Sequence, residues 1–78
     1  MDRKQIELIT KIHNELLERK RIKADKYERE DSFFEVKYDI ENGKSMKDAF
    51  IDSFKNVYGI EISDMLYESS YYLCKGWD

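Results

Sequence analysis

His13 and Cys74, the single histidine and single cysteine of the chain, have the widest chemical range of its side chains, and neither has the neighbours such chemistry needs. At helical spacing the positions beside His13 are Ile9, Thr10, Leu16 and Leu17. No carboxylate there orients the imidazole as a base and no second ligand joins it on a metal, so a core or boundary histidine is expected. Cys74 falls in the last turn of its expected helix, where the dipole opposes a thiolate, and reads as a small packing residue. One cysteine also excludes an intramolecular disulfide and a cysteine-rich zinc site. Gly43-Lys44-Ser45 has the form of the end of a phosphate-binding loop, but Tyr38 stands where that motif needs its first glycine. The same three residues suit a helix C-cap followed by the N-cap of the next helix. Asp48 with Asp52, and Glu35 with Asp39, would place carboxylate pairs on one helix face, a geometry that binds divalent ions or runs acid–base chemistry. Among 17 acidic residues such pairs arise by chance, and both lie opposite the apolar faces of their helices. The reading is therefore not an enzyme, with no cofactor and no metal.

Two other residue classes could bind macromolecules. Residues 1–31 hold nine of the 14 Lys and Arg, and Arg19, Lys23 and Lys26 would cluster on one side of a continuous helix, a stripe able to follow nucleic-acid phosphates. Glu15, Glu18, Asp25, Glu28 and Glu30 interleave with it and cancel most of its field. Ten of the 11 aromatic residues follow Asp31. Tyr67, Tyr71, Tyr72 and Trp77, with Ile51 off the main face of its helix, exceed the core positions the pattern assigns. Tyrosine and tryptophan suit interfaces because a large apolar ring carries a polar tip.

Elements must position these groups. Ile6, Ile9, His13, Leu16, Leu17, Ala24 and Tyr27 share one stripe of a first helix over about residues 3–29, supported by i,i+4 pairs Glu7–Lys11, Glu15–Arg19 and Asp25–Arg29. Asp2 with Gln5, Ser32 with Glu35 and Ser45 with Asp48 have capping-box spacing, and Ser63 opens the last segment. Phe34, Val36, Tyr38 and Ile40 alternate with Glu35, Lys37 and Asp39 in the period of a strand, whereas the Ser32 cap, the Phe33, Val36, Ile40 spacing and Gly43 favour a helix. Met46, Phe50, Phe54, Val57 and Tyr58 face inward on a helix closed by Gly59, and a final helix covers 64–75.

The expected architecture is all-α: one small domain over 1–78 with three to four helices, its charged helical arm at 1–31 and its aromatic-rich body at 32–78. The alternative is α+β with a short strand near 34–40. No apolar stretch approaches the roughly 20 residues a bilayer span needs, so a cytoplasmic chain without membrane contact is expected. A chain of 78 residues buries a modest core, which makes homodimerisation through the first helix an expected source of stability. The functional expectation is a small protein-binding module that regulates or inhibits a partner protein; its size and composition suggest one encoded by a phage or mobile element against host defence. The alternative is a nucleic-acid-binding accessory protein that uses the stripe at 19–29.

Overall fold

The computed structural model describes residues 1–76, and Trp77 and Asp78 lie outside them. Four helices run in the order α1 (Arg3–Arg19), α2 (Lys26–Glu41), α3 (Met46–Tyr58) and α4 (Asp64–Lys75), with no strand among the described residues. Each N-terminus is capped by a short polar side chain. Asp2 accepts from the Gln5 N–H at 2.8 Å, Ser45 from Asp48 at 3.1 Å and Ser63 from Leu66 at 3.1 Å, each satisfying a backbone donor that the first helical turn leaves without a partner.

The first helix ends ten residues earlier than its charge pairs suggest. Arg21 takes the left-handed conformation at φ 54°, its N–H bonds to the Glu18 carbonyl, and the Ile22 N–H reaches back to Leu17 at 2.9 Å. This is a Schellman closure with arginine where glycine usually stands, and Ile22 packs onto the core beyond it. Asp25 then starts α2. It accepts from the Glu28 N–H at 2.8 Å while Glu28 accepts from the Asp25 N–H at 3.1 Å, a complete capping box. Asp25 thus caps a helix instead of pairing with Arg29, and Glu7 pairs with Arg3 at 3.4 Å in place of Lys11; the Glu15–Arg19 pair forms at 3.0 Å.

Ser32 is correspondingly not a cap but a fully buried residue inside α2. The segment 33–40 is helical, with Val36 buried and Ile40 packed against the core, while Phe34 and Tyr38 point outward. At its end Gly43 adopts φ 97° and the Lys44 N–H bonds to the Asp39 carbonyl at 2.9 Å, the closure its glycine implies.

α2 packs mainly on α3 and α1 on α4, with α3 meeting α4 and α1 meeting α2 to close the bundle. The core is contributed by all four helices: Ile9, Ile12 and Leu16 from α1, Val36 from α2, Phe50 and Phe54 from α3, and Tyr67 from α4, with Ile62 from the last loop. Phe50 and Phe54 are the largest fully buried side chains, and the Tyr67 ring lies 5.9 Å from Phe50. No helix among the described residues is long and apolar enough to cross a membrane.

Candidate interaction surface

An amphipathic helix on the surface of a domain carries one apolar stripe, which faces the core. α2 carries two. Val36 and Ser32 define its buried side. On the opposite side, at 100° per residue, Tyr27, Phe34 and Tyr38 fall within about 20° of a common line. These three rings are 77%, 68% and 57% exposed. Phe34 is the most informative, because it has no polar tip to hydrate and solvent contact costs it the most. Shallow grooves flank it: one of about 440 Å3 toward α3, between Asp31, Glu35, Tyr38 and Val57, and one of about 320 Å3 between Lys37, Tyr38, Glu41 and Asn42.

The frame of this stripe is acidic. Glu30, Asp31 and Glu41 lie within about 60° of its centre. All three are exposed and none forms an ion pair among the described residues. Glu35, at the α3 edge, accepts from Asn56 Nδ2 at 2.9 Å. Two lysines stand one turn before two of these carboxylates: Lys26, which lines a pocket with Glu30, and Lys37, whose Nζ lies over the Phe33 ring 5.6 Å from the centroid.

The residues expected to form a C-terminal interface are divided by the fold. Tyr67 is 5% exposed and belongs to the core, where burial pushes its phenol up to about 12, with Tyr71 and Glu68 adding to the shift. Tyr71 and Ile51 are half-buried and pack against the core. Tyr72 is 52% exposed, its ring set edge-on to Tyr71 at 5.4 Å, and Met65 and Leu73 are the other exposed apolar side chains of α4. Trp77 lies outside the described residues.

The basic stripe is broken up by the end of α1 at Arg19. Arg19 bonds to Glu15 and donates to Ser69 Oγ at 2.8 Å, Lys23 sits in the loop, and Lys26 opens α2. The three cations therefore do not share a helix face. α1 also offers no apolar seam for self-pairing, since the exposed members of its outer face, Arg3, Lys4, Glu7, Lys11, Asn14 and Glu18, are all polar.

His13 has a partner that helical spacing alone did not show. Its Nε2 lies 2.7 Å from Ser32 Oγ, Ser32 Oγ lies 3.2 Å from Ser53 Oγ, and the Ser53 hydroxyl donates to the Ser32 carbonyl at 3.0 Å. With the Ser53 proton so committed, each remaining donor is used once if His13 Nε2–H donates to Ser32 and Ser32 donates to Ser53; the network assigns that tautomer. The relay joins α1, α2 and α3 through side chains that are all buried. Burial, with the charge of Arg29 as a smaller contribution, lowers the His13 pKa from 6.5 to about 4, so the ring is neutral near pH 7. No water-exposed hydroxyl stands beside the ring at Ser32 or Ser53, and the arrangement acts as a polar pin between helices.

The remaining candidates have structural partners. Lys44 bonds Asp52 at 2.8 Å and Asp39 at 3.5 Å, which occupies one member of each carboxylate pair. No group of three or more His, Cys, Asp or Glu among the described residues is placed to hold a metal ion. Burial raises the Cys74 thiol pKa, with nearby Glu15 acting in the same direction, so a thiolate is disfavoured there. Comparison with protein-family models, curated proteins and solved structures gives no significant match.

Proposed function

We propose that this chain is a protein-binding module that regulates or inhibits a larger protein by occupying part of its surface, and that the outer face of α2 is the part that docks. The observation that carries this reading is the second apolar face of α2. A phenylalanine and two tyrosines aligned on an exposed helix contribute little to the fold and favour aggregation unless something covers them. Aromatic anchors framed by polar residues are the usual composition of a binding hot spot and its rim.

The test is affinity capture from an extract of the organism that encodes the chain, run in parallel with the native protein, the double variant Phe34→Ser/Tyr38→Ser and Tyr72→Ala. The expected result is a protein retained by the native chain and by Tyr72→Ala and lost by the double variant. Retention by the double variant, or loss with Tyr72→Ala alone, would move the docking face to α4 and contradict this assignment.

A further inference from the structure

The chemistry of the α2 face restricts its partner further, on the reading that this face docks at all. We infer that the occupant is an amphipathic α-helix whose apolar stripe is bordered by lysine or arginine. The backbone N–H and C=O groups of an α-helix are spent within it, apart from its ends, and there is no strand among the described residues. An extended peptide laid on α2 would find no backbone partners and would have to bury its own amides unpaired, whereas a helix brings its backbone already satisfied. The stripe from Tyr27 to Tyr38 extends about 16 Å along the axis, the length of roughly three helical turns. Phe34 forms a ridge between two grooves, the relief into which the side-chain rows of a crossing helix fit.

Charge selects among such helices. Glu30, Asp31 and Glu41 border the rings without ion-pair partners among the described residues, and Lys37 is directed at Phe33. A lysine or arginine beside the partner's apolar stripe meets a carboxylate on either side of Phe34. A second copy of the chain would instead set these carboxylates against one another, and nucleic-acid phosphates would meet the same repulsion.

The probe is a fluorescein-labelled amphipathic helical peptide of leucine and lysine, compared with its leucine–glutamate counterpart by fluorescence anisotropy at low and at physiological salt. The native chain is expected to bind the leucine–lysine peptide at least about tenfold more tightly than the other. Phe34→Ser/Tyr38→Ser should weaken that binding by about tenfold or more, and Glu30→Lys/Asp31→Lys/Glu41→Lys should reverse the preference between the two peptides. Equal binding of both peptides would overturn the inference. So would leucine–lysine binding that neither variant changes, because the attraction would then come from net charge and not from this face. If the capture experiment finds a partner that depends on Phe34 and Tyr38 while the basic peptide fails to bind, the partner chemistry is wrong and the docking face stands. If neither experiment responds to Phe34 and Tyr38, both readings fall. Sedimentation that shows a dimer abolished by the double variant would assign the face to a second copy and overturn the inference.

Discussion

Because His13 is held uncharged among Phe33, Phe50 and Phe54, with ring centroids 5.3 to 6.4 Å away, its protonation competes with folding. The unfolded chain takes up the proton as pH falls through 6.5, and the folded ring takes it up only near 4. Stability present above pH 6.5 should therefore decline by about 3 kcal/mol between pH 6.5 and 4 and in this respect change no further below, a drop that urea unfolding across that range would measure. In His13→Gln this part of the decline should disappear, and an imidazole that titrates near 6.5 in the folded protein would refute the placement. The serines differ in the same physical way. Ser53→Ala removes the acceptor of the Ser32 hydroxyl and should cost about 1–3 kcal/mol. The Ser70 hydroxyl is buried without a hydrogen-bond partner among the described residues, so Ser70→Ala should be neutral or stabilise by up to about 1 kcal/mol in the same assay. Helical spacing identified His13 as an inward residue. Its partners, 19 and 40 positions away in the chain, become visible only when three helices are packed, and Ser32 had an equally good local reading as a cap.

At the scale of elements, the turn between α1 and α2 decides which residues α2 presents. Its left-handed residue is Arg21, and glycine adopts that conformation without the clash between Cβ and backbone, so Arg21→Gly should raise stability by about 0.5–1 kcal/mol. Asp25→Ala should lower it by about 1 kcal/mol through loss of the cap, both values measurable by chemical denaturation. A lower stability for Arg21→Gly would mean that the arginine side chain contributes more than its backbone costs. The break was hard to read because neither glycine nor proline marks it and the acids and bases through it also suit a continuous helix. Asp25 and Glu28 carry the capping-box signal, but Ser32 and Glu35 have the same spacing and lie just before a more apolar run. Alternation at 34–40 imitated a strand for a related reason: Val36 and Ile40 face the core while Phe34 and Tyr38 face out, and two opposed apolar faces on one helix blur its 3.6-residue period. The helices at 46–58 and 64–75, each with a serine cap and a glycine after its last turn, were legible almost to their ends.

Across the whole molecule, the number of aromatic residues exceeds what a core of this size takes in, and that excess was visible in composition. Its location was not. Tyr67 is absorbed against Phe50, while Tyr27 leaves the inner stripe of the expected long helix once that helix ends at Arg19 and joins Phe34 and Tyr38 outside. Since those rings contribute little to the folded state, Phe34→Ser/Tyr38→Ser should change unfolding free energy by no more than about 0.5 kcal/mol per site, which separates a loss of binding from a loss of fold. The most direct test of the α2 face is photo-crosslinking in native extract, with p-benzoylphenylalanine introduced in turn at Phe34, at Tyr72 on α4 and at Lys11 on the polar face of α1. A protein adduct of one defined mass is expected from position 34 and none from position 11; an adduct from position 72 or 11 with none from 34 would rule out docking through α2.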